Sequence, residues 1–399
     1  MAPTRDETFE LFGHHVSPGK ARWFRDLGLD VIMGERAGAR FHDAHDGRGF
    51  WNCHCNGGVF NLGHRHPAVL AAVRRALDDH DLGNHHLVSP LRAELGARLA
   101  ATTDGRLPGA VFGVSGGEAM DLAIKLARAS SGRRTIVSAL GGYHGHTGLA
   151  LAAGDAQYRD PFGANLDGFT QVGFADLAAL DRAIDDTTAA VLLEPVPATL
   201  GMPIAPDGYL AAVGRLCRDR GARLIVDEVQ TGLGRTGRRW AYQHDDVTPD
   251  LVVTGKGLSG GIYPIAATLM TAEIHAFFAD HPFVHISTFG GAEPGCAAAL
   301  AVLDLLEAPG FLARVDALAA RFAAGLAGGR FTLRQRGLMM GLAFDVPRGG
   351  MFAAKLLYDA GVFTAWANND PRVLQFLPPL ILTDDEADAI LAIVRRVLG

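Results

Sequence analysis

Residues 224–237 read LIVDEVQTGLGRTG, and residues 249–270 read PDLVVTGKGLSGGIYPIAATLM. Each stretch contains a short apolar run, LIV or LVV, followed within a residue or two by an acid or a glycine. Runs of this kind predict strands of a parallel sheet that is buried on both faces. Ligands of open α/β sheets bind at the carboxyl ends of the strands. We therefore expect Asp227 and Lys256, which follow the two runs, to lie at a functional site.

The lysine and the acid suggest a specific chemistry. A partly desolvated lysine loses its proton more readily and can form a Schiff base with a carbonyl compound. An acid at the neighbouring strand end can keep a pyridinium nitrogen protonated. Together these are the groups that an enzyme dependent on pyridoxal 5′-phosphate (PLP) needs. The alternative is that Asp227 caps a helix and Lys256 is a solvated loop lysine.

Length and composition narrow the class of protein. The chain has 399 residues, enough for a large α/β core and a smaller unit, and its 48% hydrophobic and 20% charged residues are ordinary for a globular protein. The net charge of −6 argues against a nucleic-acid or anionic-membrane partner. No apolar run reaches the roughly 18 residues of a membrane span, and the N-terminus lacks the apolar core of a signal peptide. A cytoplasmic location is expected.

Two short motifs resemble metal ligands. They are Cys53-His54-Cys55 and the GHRHP run at residues 63–67. No second ligand pair follows at zinc-like spacing, and Pro67 fits the first turn of a helix, so we predict no metal site. Four scattered cysteines are also too few for a disulfide framework.

A candidate anion site follows the predicted strand at residues 110–114. Ser115, Gly116 and Gly117 come directly after this strand and open a helix. Free N–H groups and the helix dipole favour an anion there. The next predicted strand, at residues 136–140, leads to Tyr143, which can either stack on a pyridine ring or belong to the core.

The alternation of strands and helices between residues 110 and 270 predicts an α/β fold with a mainly parallel sheet flanked by helices. We expect residues 1–60 to form an N-terminal arm and part of a small domain. Residues 61–300 would form the large PLP-binding domain, and residues 301–399 a small α+β domain.

The run DEVQTGLGRTG followed by TGKGLSGG, with the lysine 29 residues after Asp227, resembles the class III (ω-) aminotransferases. The chain is similar to acetylornithine and ornithine aminotransferases and to dialkylglycine decarboxylase. The resemblance implies PLP fold type I, the aspartate aminotransferase-like fold, with an internal aldimine on Lys256 and Asp227 at the ring nitrogen. It also implies that Val229 and Tyr143 pack on opposite faces of the ring and that Gln230 reaches the ring hydroxyl.

The same resemblance implies which residues bind the phosphate and that two subunits share their active sites. Residues 115–119, SGGEA, are similar to the phosphate-binding SGTEA of the family, with Gly117 in place of the threonine. Residues 287–291, STFGG, match a family motif in which the threonine, here Thr288, reaches the phosphate of the neighbouring subunit. A homodimer with shared active sites is implied.

The departures from the family concern substrate binding. Family members that use glutamate read EPIQGEGG and VLRFLPPL; this chain has Thr199 in place of the second acid and Gln375 in place of the arginine. Both partners of an ion pair are missing together, and a bidentate carboxylate clamp is lost with them. Arg372 would replace the clamp only if its strand shifted. Glu194, His144, Thr199 and Gln375 are the candidate substrate-site residues.

The sequence thus predicts a PLP-dependent aminotransferase that acts on an amine or amino acid with atypical carboxylate recognition. Lys256, once displaced by the substrate, would serve as the general base. Decarboxylation, racemisation, and β/γ-elimination or replacement start from the same state and stay open. The alternative of a different class is a PLP-binding protein without turnover, against which the retained Lys256 and Asp227 argue.

Overall fold

The computed structural model describes residues 3–399. Within this range the strands form three sheets, and they are numbered in chain order. They are β1 (Met33–Ala37), β2 (Arg40–Asp43), β3 (Gly49–Asn52), β4 (Gly109–Gly113), β5 (Thr135–Ala139), β6 (Phe169–Val172), β7 (Thr188–Leu193), β8 (Arg223–Asp227), β9 (Leu251–Thr254), β10 (Ala266–Met270), β11 (Thr332–Arg336), β12 (Met339–Ala343), β13 (Val362–Phe363), β14 (Ala365–Trp366) and β15 (Val373–Phe376).

Helices connect and cover these strands. They are α1 (Arg5–His15), α2 (Pro18–Asp26), α3 (Cys55–Gly58), α4 (Pro67–Asp79), α5 (Pro90–Ala101), α6 (Gly116–Ser131), α7 (Gly148–Ala152), α8 (Ala156–Arg159), α9 (Leu177–Ala183), α10 (Tyr209–Arg220), α11 (Ala272–His275), α12 (Phe277–Asp280), α13 (Glu293–Glu307), α14 (Phe311–Leu326), α15 (Gly349–Asp359) and α16 (Asp384–Leu398). Over residues 3–399, no single helix is long and apolar enough to span a membrane. Only the pair α13 and α14, which meet at a bend of 71°, reaches that length and apolarity together.

The largest sheet has seven strands in the order β4-β10-β9-β8-β7-β5-β6. The five strands from β9 to β6 are parallel, and β10 runs antiparallel to both of its neighbours. Strands β8 and β9, which carry the two stretches quoted first, are adjacent. The predicted α/β fold with a mainly parallel sheet is confirmed.

The central strands are buried on both faces because their side chains alternate between two apolar clusters. Leu224 and Val226 of β8 face one cluster, together with residues of α10 and α13. Ile225 faces the other cluster, together with residues of α6. Helices therefore cover both faces of the sheet, and only the strand ends remain open for a site.

Two four-stranded sheets complete the fold. The sheet β11-β12-β15-β14 is antiparallel throughout. The other, β1-β2-β3-β13, joins N-terminal strands to residues 362–363, which pair in parallel with β3. Strands from both ends of the chain thus share one sheet. The division of the chain at residues 60 and 300 stays a prediction.

The motif Cys53-His54-Cys55 lies beside a buried arginine. Arg235 is fully buried and donates hydrogen bonds to the side-chain oxygen of Asn61 and to the carbonyl oxygens of Leu338 and Pro378. Both thiols are buried and free, and burial raises the pKa of Cys55 to about 12 against the opposing charge of Arg235. These cysteines belong to the protein core, and burial favours their protonated thiol form.

Candidate active site

The carboxyl ends of four parallel strands open into a cavity of about 360 Å³. Strand β8 ends at Asp227, and Lys256 follows β9 on a 3₁₀ turn. The cavity brings together most of the residues that the sequence singled out. Its lining is Ser115, Gly116, Gly117, Tyr143, His144, Gly145, His146, Thr147, Glu194, Thr199, Asp227, Val229, Gln230 and Lys256.

Asp227 is held by a buried histidine. Its Oδ2 atom lies 2.9 Å from Nδ1 of His144, and its Oδ1 atom accepts the backbone N–H of Val229 at 3.0 Å. Burial lowers the pKa of His144, but the hydrogen bond to Asp227 and the charges of Asp227 and Glu194 outweigh burial, so the pKa is raised. The raised pKa favours the charged imidazolium form of His144 beside Asp227, and both side chains are almost fully buried.

Lys256 is half-buried at the cavity and conformationally strained. Its φ of 42° lies in the left-handed region, which costs a residue other than glycine roughly 1–2 kcal/mol. Its Nζ atom donates a hydrogen bond to Oε1 of Gln230 at 2.8 Å. Burial lowers the pKa of Lys256, and the nearby carboxylates of Asp227 and Glu194 only partly oppose this effect. A lowered pKa increases the fraction of neutral, nucleophilic amine.

Glu194 and Thr199 form the wall that follows β7. Glu194 is buried, accepts the backbone N–H of Tyr143 at 2.8 Å, and has its pKa raised, chiefly by burial. The hydroxyl of Thr199 donates to the carbonyl oxygen of Gly141 at 2.9 Å. Thr199 therefore presents no charge to the cavity.

The N-terminus of α6 forms the opposite end of the cavity. Ser115 is its N-cap residue, and its Oγ atom accepts the backbone N–H of Glu118 at 3.3 Å. Gly116 and Gly117 occupy the first turn, where backbone N–H groups have no partner within the helix. With the helix dipole, this arrangement suits an anion.

Two predicted site residues lie outside the cavity lining. Thr288 is exposed, in the segment between α12 and α13. Gln375 is buried on β15, where its Nε2 atom donates to the carbonyl oxygen of Trp366 at 3.4 Å, and it also hydrogen-bonds His54. Arg372 does not take the place of the missing arginine, because it precedes β15 and its guanidinium pairs with Asp370.

Sequence reasoning did not single out three residues that line the cavity and a histidine beside Lys256. Gly145, His146 and Thr147 line the cavity because the chain after β5 returns across the N-terminus of α6. The only sequence signal for this return is the polar, glycine-containing run between Tyr143 and α7. His54 is the fourth, and burial together with the charge of Lys256 lowers its pKa to about 4.

The chemistry of the cavity lining fits PLP. It offers an amine at Lys256, a buried acid at Asp227 and the backbone N–H groups of the first turn of α6. Two buried nitrogen atoms, Nε2 of Gln230 and Nε2 of His144, have no hydrogen-bond partner among the described residues. Within residues 3–399 no group of three or more His, Cys, Asp or Glu side chains is arranged to hold a metal ion.

A mainly parallel sheet with a buried acid and a lysine at neighbouring strand ends is the arrangement of PLP-dependent enzymes of fold type I. Residues 26–398 match the family model "Aminotransferase class-III", so the chain belongs to the class-III aminotransferases. This confirms the resemblance found in the sequence. The protein is a PLP-dependent aminotransferase.

Similar proteins agree with this assignment. An uncharacterized aminotransferase from Archaeoglobus fulgidus is 48% identical over 392 residues, which is 96% of this chain and 92% of that protein. The crystal structure of ornithine aminotransferase from Toxoplasma gondii superposes with a TM-score of 0.90 at 27% identity, covering 99% of this chain and 95% of that one. A second structure of that enzyme, with equal TM-score and identity and covering 99% and 94% of the two chains, is described with PLP at partial occupancy in its active site.

Proposed function

We propose that this aminotransferase binds PLP covalently at Lys256 and takes its amino group from a donor other than glutamate. The observation that carries the proposal is the absence of a carboxylate clamp. Among the described residues that line the cavity, Lys256 is the only lysine or arginine. An amino acid bound by its carboxylate needs a second cation or a set of strong donors.

The lining residues divide into groups by the part of PLP that they suit. Ser115, Gly116 and Gly117 offer N–H groups and a helix dipole to the phosphate. Tyr143 and Val229 offer an aromatic and an apolar surface to the two faces of the ring.

Gln230 and Asp227 suit the polar edge of the ring. Gln230 accepts from Nζ of Lys256 through Oε1 and keeps its Nε2 donor free for the ring hydroxyl. Asp227, paired with His144, holds a negative charge for the ring nitrogen. When bound, PLP supplies an aldehyde that combines with amines and a pyridine ring that accepts an electron pair.

Lys256 moves the proton during transamination. Its lowered pKa makes the neutral amine available to take a proton from the carbon next to the substrate nitrogen and to return it to the cofactor side. Gln230, 2.8 Å away, fixes the position of the Nζ atom. Asp227 and Glu194 supply the negative charge that stabilises Nζ once it carries the proton.

The two positions to which the sequence resemblance assigns the family's ion pair hold neutral side chains in this chain. The hydroxyl of Thr199 hydrogen-bonds the carbonyl oxygen of Gly141. The side-chain amide of Gln375 hydrogen-bonds Trp366 and His54. Burial keeps His54 neutral at physiological pH, since its pKa is about 4. The substrate end of the cavity therefore suits an amine without an acid beside the amino group, or an acid held by neutral donors.

The test follows the first half-reaction in the purified holoenzyme. Each donor is mixed with the enzyme in a stopped-flow spectrophotometer, and conversion of the cofactor to its amine form is recorded. Donors to compare are glutamate, alanine, taurine and primary amines without an acid. We expect glutamate to react at least about tenfold more slowly than the best donor, because the charge-assisted hydrogen bonds of an arginine are missing. Conversion by glutamate as fast as by any other donor would refute the proposal.

We also propose a cytoplasmic homodimer in which Thr288 of each subunit serves the cofactor of the other. Thr288 is exposed and lies among the exposed apolar residues Phe283, Val284, Ile286 and Phe289, which would be covered by a second subunit. Mixed dimers of Lys256→Ala and Thr288→Ala chains contain one site with both residues intact. Such dimers should retain more PLP on gel filtration than dimers of either variant alone; equal retention would exclude a shared site.

A further inference from the structure

The segment that follows Tyr143 lies directly on the first turn of α6. A Cβ atom placed on Gly117 would lie 3.0 Å from Oγ1 and 3.2 Å from Cγ2 of Thr147. Gly117 is the position at which the family's phosphate-binding motif has threonine. The side chain of Thr147 therefore comes within contact distance of the space that a threonine at position 117 would fill.

A second glycine makes this approach close. Gly145 has a φ of +123°, and a Cβ atom on it would lie 2.7 Å from the Cα atom of Gly117. A side chain at either position would push the two segments apart. The two glycines together therefore bring Thr147 to the N-terminus of α6.

The hydroxyl of Thr147 is available for a ligand. Thr147 is the N-cap residue of α7, but its side chain makes no capping hydrogen bond. It is exposed and lines the same cavity as Ser115, Gly116 and Gly117. A hydroxyl at this point can donate to an anion held by the N–H groups of α6.

We propose that Thr147 supplies the hydroxyl donor to the PLP phosphate that Gly117 cannot supply. The inference rests on the proposed position of the phosphate at the N-terminus of α6. On this view, the hydroxyl of Thr147, which lies on the neighbouring loop, replaces the hydroxyl that a threonine at position 117 would have. Thr147 is then a cofactor-binding residue outside the SGGEA and STFGG runs.

The first test measures the dissociation constant of PLP by titration of the apoenzyme, with fluorescence as the readout. Thr147→Val, which keeps the shape but removes the hydroxyl, should weaken PLP binding about tenfold or more, because a hydrogen bond to a charged group is lost. Thr147→Ser should stay within about twofold of the wild type. Binding of pyridoxal, which has no phosphate, should be unchanged in both variants. An unchanged PLP constant in Thr147→Val would overturn the inference.

Thr383→Ala is the matched control for helix capping. Thr383 is the N-cap of α16 and accepts the N–H of Glu386, so its removal destabilises a helix far from the cavity. This control should leave the PLP constant unchanged. Ser115→Ala separates the two proposals: if it weakens PLP binding and Thr147→Val does not, the phosphate position stands and the role of Thr147 fails. If neither variant weakens binding, the phosphate position itself fails.

A reciprocal exchange gives the sharpest test. Gly117→Thr alone should weaken PLP binding, because its Cβ atom would press on the Thr147 side chain. In the Thr147→Ala background the Oγ1 and Cγ2 atoms of that contact are gone, and Gly117→Thr restores a hydroxyl. The double variant should therefore bind PLP more tightly than Thr147→Ala alone. Weaker binding by the double variant would show that the hydroxyl is not exchangeable and would contradict the inference.

Discussion

The Nδ1 atom of His144 lies 2.9 Å from the Oδ2 atom of Asp227, and both side chains are almost fully buried. The contact joins the loop after β5 to the end of β8. It gives the buried Asp227 a hydrogen-bonding partner whose raised pKa favours the charged form, and this offsets part of the cost of keeping the acid ionised. Asp227 can then remain negative in an apolar setting, as a partner of a pyridinium nitrogen must.

Substitution of His144 should impair catalysis even though Lys256 is unchanged. His144→Ala leaves Asp227 without its hydrogen-bonding partner, a loss of about 1–3 kcal/mol or roughly 5- to 150-fold in rate. His144→Asn keeps an N–H donor and should recover part of the loss. The measurement is the single-turnover rate as a function of pH for both variants. Equal rates in wild type and His144→Ala would show that Asp227 does not depend on the imidazole.

Substitution of Gly57 should crowd the reactive amine. The φ of Gly57 is +66°, and a Cβ atom on it would lie 3.3 Å from Nζ of Lys256 and 3.5 Å from Oε1 of Gln230. We expect Gly57→Ala to weaken PLP binding and to slow the half-reaction several-fold, beyond the roughly 1 kcal/mol that the backbone alone costs.

Gly47→Ala is the matched control for this prediction. Gly47 has a similar φ of +71°, but a Cβ atom there would meet nothing within 4 Å. It should lose a similar amount of stability while PLP binding stays the same. If the two alanine variants bind PLP equally well, Gly57 is needed only for its backbone conformation.

Glu228 should make stability depend on pH. Burial raises its pKa from 4.5 to about 7, in spite of hydrogen bonds from the Thr231 hydroxyl and the Tyr242 backbone N–H. Because the folded protein then binds the proton more tightly than the unfolded chain, this contribution to stability is present below pH 4.5 and is lost as the pH rises toward 7. The loss reaches up to about 3 kcal/mol.

Glu228→Gln remains neutral and should lack this loss. The melting temperature of the variant, relative to wild type, should therefore rise between pH 4.5 and pH 7.5 in calorimetric scans. Glu94→Gln, which changes an exposed carboxylate, should show a constant difference over the same range. A constant difference for Glu228→Gln as well would mean that Glu228 titrates normally.

The sequence allowed the sheet and the cofactor lysine to be predicted because both depend on local patterns. Strands β8 and β9 are apolar runs closed by polar residues, and a run of this kind places its last residue at the sheet edge. Asp227 and Lys256 are each within three residues of a strand end, so their meeting follows from the parallel topology.

The remaining contacts depend on tertiary packing. His144 and Asp227 are 83 residues apart in sequence, and their pairing requires β5 and β8 to flank β7. Thr147 reaches α6 only because two glycines allow the loop to approach. Gln375 lies off the cavity because the pairing of β15 with β12 and β14 sets its direction. No local pattern carries this information.

The most direct test of the account is to locate the cofactor on the chain. Sodium borohydride reduction of the holoenzyme fixes PLP to the lysine that holds it, and peptide mass spectrometry then identifies that lysine. The other lysines of the sequence, Lys20, Lys125 and Lys355, lie outside the cavity, so the result is unambiguous. The account predicts the phosphopyridoxyl group on Lys256 and its loss in Lys256→Ala. A label on any other lysine, or no label in a PLP-saturated protein, would contradict it.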